Sequence, residues 1–256
     1  MRNSILGIDI GTSAVKAICK DNKGQTVKAS MKYDRLSPCG IYDAFIKILK
    51  EFNLPDVSAI GLTSQIGTYI INGEEIIFWY GSEGKEELQE IKSQFSKEQF
   101  VEKIQMNHPD IISFPMPRLL YIYRHYKNIE SIMMPKEYII NKLTGNNVTD
   151  TCSWRGIIDN NNDSYCRELL DYTGITESML PSVSSHFNSA GHVTAKASME
   201  TGLSEQVRIF IGCNDFYSAL LGMGMIKEGS IFDLTGTSEH AGVVRNTLDA
   251  DTLLVS

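Results

Sequence analysis

The chain has 256 residues, 42% hydrophobic and 21% charged, with 24 Lys and Arg against 31 Asp and Glu for a net charge of -7. This composition excludes a disordered chain, and with no basic run to neutralise a phosphate backbone it argues against a nucleic-acid partner. Residues 1–9 meet an acid too early for a signal peptide, and no stretch reaches the ~20 apolar residues of a membrane span, so a cytoplasmic location is expected.

In chain order, residues 4–10 read as a short buried strand ended by Gly11-Thr12-Ser13, with a second strand near 15–19. A third strand near 25–32 follows the turn Asp21-Asn22-Lys23-Gly24. Ile41, Phe45, Ile48, Leu49 and Phe52 then recur at helical spacing, so three strands precede the first helix. Residues 58–62 form another buried strand, giving the order βββαβ. Asn72-Gly73 marks a hairpin between 69–71 and 76–79, and the charged stretch 83–97 reads as one solvated helix. Pro117 is expected to open a helix through Leu119, Leu120, Ile122 and Tyr123, and Pro135 a second one closed by Gly145. A buried strand at 208–211 runs into Gly212-Cys213-Asn214-Asp215 and a helix over 216–225. A last strand at 230–234 stops at Thr235-Gly236-Thr237-Ser238.

Chemistry concentrates at two of these junctions. Gly7-Ile8-Asp9-Ile10-Gly11-Thr12-Ser13 delivers a carboxylate to a tight turn of backbone N–H groups and two hydroxyls, which suits phosphates and Mg²⁺. An ordinary Asp and Gly at a hairpin is the competing explanation. Neither the G-x-x-x-x-G-K-[ST] loop nor the G-x-G-x-x-G fingerprint is present. Gly236-Thr237-Ser238 repeats the first turn at another strand end, and Asp215 stands shortly before it, where it could also cap a helix.

These pieces, with Leu62-Thr63-Ser64-Gln65, Pro117-Arg118-Leu119-Leu120, Pro135-Lys136-Glu137-Tyr138, Leu143-Thr144-Gly145, Thr149-Asp150, Leu180-Pro181 and Thr201-Gly202-Leu203, resemble the N-terminal half of the FGGY carbohydrate kinases, such as xylulokinase and glycerol kinase. The resemblance runs nearly end to end and is carried by order and spacing. It implies an α/β, ribonuclease H-like domain of the actin-like ATPase type, a mixed sheet of βββαβα order with a helical insertion. It also implies ATP-dependent transfer of a phosphoryl group to a sugar or polyol hydroxyl, most simply a pentulose such as xylulose. Asp215 would then be the general base and Asp9 the Mg²⁺ ligand. Gly11, Thr12, Ser13, Gly236, Thr237 and Ser238 would hold phosphates, and Gln65, Ile66, Gly67, Asp150 and Phe216 would line the acceptor. Residues 1–243 would form the substrate-binding domain and 244–256 the start of a connection to an adenine-binding domain, so the chain alone is expected to be inactive. The implied partners are a sugar and ATP, with a homodimer as one assembly open to it.

Three departures from the family pattern fall on the acceptor side. Gln65-Ile66-Gly67-Thr68 replaces Gln-Met-His-Gly, Trp79-Tyr80-Gly81-Ser82-Glu83 replaces Trp-x-Asp-x-Arg and reverses charge there, and Phe216 follows the aspartate where Asn or Gln is usual. They leave a non-catalytic sugar- or nucleotide-binding module as the rival. Another actin-like ATPase is disfavoured by residues 117–145. His108, His125, His186, His192 and His240 share no metal spacing; Cys19, Cys39, Cys152, Cys166 and Cys213 are expected reduced and mostly buried; Met223 and Met225 are expected in the core.

Overall fold

The computed structural model describes residues 4–106, 109–235 and 239–245. β1 (Ser4–Ile10) alternates, burying Leu6, Ile8 and Ile10 while Gly7 and Asp9 turn the other way. β2 (Ala14–Asp21) and β3 (Thr26–Lys32) follow as antiparallel neighbours. In α1 (Pro38–Leu49) the Ser37 side chain accepts from the Gly40 N–H and Pro38 sits in the first turn, so the start is capped and φ is preset. Its buried stripe, Ile41, Ala44, Phe45, Ile48 and Leu49, lies across the sheet and returns the chain to β4 (Val57–Ser64), parallel to β1.

The chain then leaves the sheet. β5 (Tyr69–Ile71) and β6 (Glu75–Ile77) make the Asn72-Gly73 hairpin, with positive φ at both turn residues. The charged stretch is two helices rather than one, α2 (Lys85–Gln94) and α3 (Lys97–Ile104), because Ser96 and Gln99 form a capping box that starts the second. α4 (Pro115–His125) opens two residues before Pro117. β7 (Ile132–Met133) joins β5, and α5 (Pro135–Thr144) ends on left-handed Gly145. Short strands β8 (Val148–Thr149), β9 (Ile158–Asp159), β10 (Ser164–Tyr165) and β11 (Ser182–Val183) surround α6 (Arg167–Thr173). The sheet resumes with β12 (Ser189–His192), α7 (Ala195–Thr201) and β13 (Arg208–Phe210), followed by α8 (Asp215–Gly222) and the hairpin of β14 (Ile231–Thr235) with β15 (Glu239–Val243).

The architecture is therefore mixed α/β, its main sheet ordered β12-β13-β4-β1-β2-β3, parallel across β13, β4 and β1 and antiparallel elsewhere. One apolar core joins this sheet to α1, α5 and α7. A second, built on Tyr69, Ile91, Phe100, Leu119, Trp154 and Leu169, holds the inserted helices together. The opposite face of the main sheet is open, forming a groove of about 950 Å³ whose walls include Asp9, Lys16, Thr63 and Ser218. Cysteine and methionine placement departs from expectation: Cys213 is buried, Cys39 is exposed, the other three are intermediate, and Met223 is 44% exposed because α8 packs on few neighbours. Among the described residues, no helix is long and apolar enough to cross a membrane.

Candidate active site

The two aspartates meet because three strands end together. Asp9 stands opposite Thr63 in the β1–β4 register, and one residue on, Ser64 bridges to Asn214. Asp215 follows as the first residue of α8, so both carboxylates lie at the same end of the sheet, one on β1 and one after β13, the two parallel strands that flank β4. The turn that brings it there needs a glycine: Gly212 has φ +65°, and a Cβ on it would fall 1.8 Å from the Leu62 carbonyl oxygen. Asn214, not Asp215, caps α8, its side chain accepting from Tyr217 N–H at 3.0 Å and donating to Cys152 O at 3.1 Å. The capping alternative for Asp215 thus passes to its neighbour. Ser218 adds a tie, donating to Thr63 Oγ1 at 3.0 Å.

The surroundings of both acids favour the protonated form. Burial pushes the Asp9 carboxyl up to about 6, the Asp215 charge adds to the rise, and Lys16 opposes it. Its Oδ1 is enclosed with no hydrogen-bond partner. Asp215 reaches solvent, yet the protein packed around its carboxyl raises its pKa above the ordinary value, against the Phe216 N–H at 2.8 Å and the Arg155 charge. An enclosed, unpartnered carboxylate oxygen beside a second acid fits a divalent cation, and Mg²⁺ with phosphate and water ligands needs only one or two carboxylates. Among the described residues no group of three or more His, Cys, Asp or Glu could hold a metal by itself.

The first turn is braced from outside. Gly11 N–H donates to Ala14 O at 3.1 Å, and its carbonyl accepts from Tyr33 Oη at 2.8 Å and Gln65 Nε2 at 3.4 Å. Thr12 Oγ1 donates to Gln65 Oε1 at 2.9 Å and accepts from Trp79 Nε1 at 3.1 Å, while Ser13 is exposed. Gln65 is buried and committed to this brace. Gly67, with φ +79°, lies so close to Ser113 that a Cβ would approach its Cβ to 2.6 Å, which brings the 65–67 loop against the start of α4.

Behind Trp79 stands Arg118, fully buried, donating to Glu83 at 3.0 Å and to the carbonyls of Phe78, Trp79 and Gly81 at 2.9, 3.4 and 3.0 Å. Glu83 therefore answers an internal cation, and the charge reversal expected at that wall is absorbed there. Asp150 is fully buried too: its carboxylate pairs with Lys136 and accepts from Ser153 N–H at 3.0 Å and Ser153 Oγ at 2.6 Å. Lys136 also reaches Gly212 O at 3.4 Å. The Asp150 carboxylate is thus not presented to an acceptor, and supports the turn that carries Asp215. Phe216 packs against Phe232 and His240, with ring centroids 5.9 and 5.2 Å away. Ile66 is half-buried against the second core. Gly236, Thr237, Ser238 and His108 lie outside the described residues.

Sequence reasoning overlooked Tyr33, Lys16, Ser218 and the anchoring role of Arg118. No short motif marks them, since each acts across a sheet register or a distant loop. A lone arginine beginning "Pro-Arg-Leu-Leu" in a buried helical stripe was the one available signal for Arg118.

The comparisons bear on what this geometry belongs to. The chain is 25% identical over 271 residues to a xylulose kinase of Staphylococcus xylosus, covering 96% of this chain and 56% of the relative. It is 25% identical over 264 residues to an autoinducer-2 kinase of Enterobacter sp. (strain 638), covering 91% and 49%. The crystal structure of a ligand-bound xylulose kinase from Lactobacillus acidophilus superposes with a TM-score of 0.80 at 25% identity, over 92% of this chain and 53% of that one. The chain thus spans about half the length of the curated relatives it matches. Residues 40–222 match the N-terminal domain of the FGGY family of carbohydrate kinases, and the chain belongs to that family.

Proposed function

We propose that this chain is the acceptor-binding half of an ATP-dependent carbohydrate kinase, in which Asp215 takes the proton from the attacking hydroxyl of a sugar or polyol. The observation that carries the reading is the placement of Asp9 and Asp215 at one end of the two parallel strands that flank β4, both with raised pKa, beside the braced Gly11-Thr12-Ser13 turn. A carboxylate with a raised pKa is a stronger base than an ordinary aspartate, and a positioned base contributes roughly 10²–10⁴-fold. With the Gly11 N–H and the Thr12 hydroxyl committed within the brace, the exposed Ser13 is the member of the Gly11-Thr12-Ser13 turn left to meet phosphate oxygens, and Gly236, Thr237 and Ser238 would supply the matching turn. Asp9 would hold Mg²⁺, which when bound neutralises charge on the transferring group. The main sheet is read as the ribonuclease H-like core of an actin-like ATPase domain, residues 1–243 as the substrate-binding domain, and 244–256 as the start of a connection to a nucleotide-binding domain.

Gln65, Ile66, Gly67 and Phe216 bound the acceptor side, with Gln65 acting through the turn it braces. The xylulose kinase among the relatives makes a pentulose such as xylulose the starting acceptor to test, and a cytoplasmic location with ATP and Mg²⁺ belongs to the same reading. The test is sugar-dependent ADP release by the complete enzyme, with Asp215→Ala beside it. Turnover that disappears in the variant supports the reading; tight sugar binding with no ADP release from the complete enzyme would sink it in favour of a binding module.

A further inference from the structure

Arg155 is anomalous among the cations near the site. Arg118 donates to Glu83 and three carbonyls, though its Nε too is without a partner, and Lys136 is answered by Asp150. The Arg155 guanidinium lies 5.6 Å from the centroid of the Phe114 ring and 6.0 Å from that of Tyr217, and its Nε and Nη1 are enclosed without a hydrogen-bond partner. A guanidinium stays charged at any working pH, and enclosed charged donors without acceptors are costly unless something supplies them. The aromatic rings hold the fork in place and remove water from it, which strengthens any anion contact it makes.

Its position selects the acceptor side. Phe114 is the N-cap of α4, and the preceding Ser113 lies against Gly67 of the acceptor loop, while a Cβ on Gly156 would lie 3.7 Å from both Phe114 and Pro115. Tyr217 belongs to the first turn of α8, two residues after Asp215. Asp215 feels the Arg155 charge, whereas Asp9 feels Asp215 and Lys16. Arg155, with His240, thus acts on Asp215 and not on Asp9, and its Tyr217 and Phe114 contacts put it beside the first turn of α8 and the start of α4.

We infer that Arg155 is the specificity-determining contact for an anionic acceptor, so that the site takes a sugar acid, a polyol skeleton ending in a carboxylate, in preference to a neutral sugar. The inference rests on the acceptor-site reading above and narrows it. A carboxylate beside the fork supplies the acceptors that Nε and Nη1 lack, in the planar, two-point geometry that guanidinium and carboxylate share. A neutral ketose offers hydroxyls only and leaves the charge unanswered.

The probes are D-xylonate and D-xylulose, five-carbon compounds that differ in the carboxylate, titrated calorimetrically into the 256-residue chain. Xylonate is expected to bind at least about tenfold more tightly than xylulose, the scale of one charge-assisted contact. Arg155→Gln is expected to erase that difference while leaving xylulose affinity within about twofold, and Arg155→Lys, which keeps charge but loses the fork, to fall between. The comparison in the unaltered chain needs no variant to fold. Xylulose binding as tightly as xylonate, or an unchanged preference in Arg155→Gln, overturns this inference and leaves the kinase reading standing. Binding of neither compound overturns this inference too, and leaves the kinase reading to the ADP-release test of the complete enzyme.

Discussion

Trp79 donates its indole N–H to Thr12 Oγ1 at 3.1 Å, which joins the wall after β6 to the phosphate-type turn after β1. Thr12 passes the contact to Gln65 at 2.9 Å, so three loops share one hydroxyl. Trp79→Phe keeps an aromatic side chain, smaller than the indole, and removes the donor, and is expected to cost about 1 kcal/mol or more in urea unfolding. In combination with Thr12→Val the two losses should total less than their sum, since both delete one bond. Strict additivity would show that the bond contributes nothing.

Asp9 sets a pH-dependent penalty. Its folded pKa of about 6 exceeds the ordinary aspartate value of 3.8, so the folded state holds the proton more tightly, and stability falls as pH rises between those values. Above pH 6 the cost of the buried charge is fully present. Asp9→Asn removes it, and the variant should melt higher at pH 7.5 by an amount worth about 1–3 kcal/mol, a gain that vanishes near pH 4. Mg²⁺ should raise the melting temperature of the unaltered chain at pH 7.5 and leave that of Asp9→Asn unmoved. A variant less stable than the parent at pH 7.5 would contradict this account.

Gly212 and Gly61 make an internal control. Alanine at 212 must fit a left-handed backbone and a Cβ 1.8 Å from Leu62 O, whereas a Cβ at 61 meets nothing within 4 Å. Gly212→Ala should cost roughly 3 kcal/mol or more, or prevent folding, while Gly61→Ala should be neutral or slightly stabilising. Chemical denaturation of the pair decides it. Equal effects would mean that the turn before Asp215 is free to relax.

Lys136 and Asp150 are both fully buried and paired. Removing one partner strands the other charge, so Lys136→Met should cost about 3–5 kcal/mol, and Lys136→Met with Asp150→Leu should recover much of it. A double variant no more stable than Lys136→Met alone would place the contribution in shape rather than charge.

Alternation and punctuation made the main sheet legible: Leu6, Ile8 and Ile10 against Gly7 and Asp9, Asn72-Gly73 at a hairpin, Gly145 at a helix end. The split at Ser96 was missed because charge pattern outweighed a capping box that the sequence Ser-x-x-Gln displays. Pro117 was taken for the opening of α4 because it sits next to the apolar stripe, while Pro115 does the work. At the candidate site, the placement of Asp9 and the Gly11 turn at the end of β1 and of Asp215 at the strand-to-helix junction is readable from local sequence. Asp150 was not, because whether a carboxylate faces an acceptor or a buried lysine 14 residues away depends on how α5 docks, and no local pattern carries that.

The carboxylates and the acceptor wall rest on different foundations. Asp9 and the turn before Asp215 are set by the core under the main sheet, whereas the 78–83 wall, Phe114 and the 153–156 segment hang on the separate apolar cluster of the insertion. Substitutions accumulating in the insertion can remould what is recognised without retuning the strands that aim the two acids. On the proposed reading, such a chain would change its preferred sugar by descent while the two acids stay aimed, and recombining insertions between relatives would be a route to new specificities.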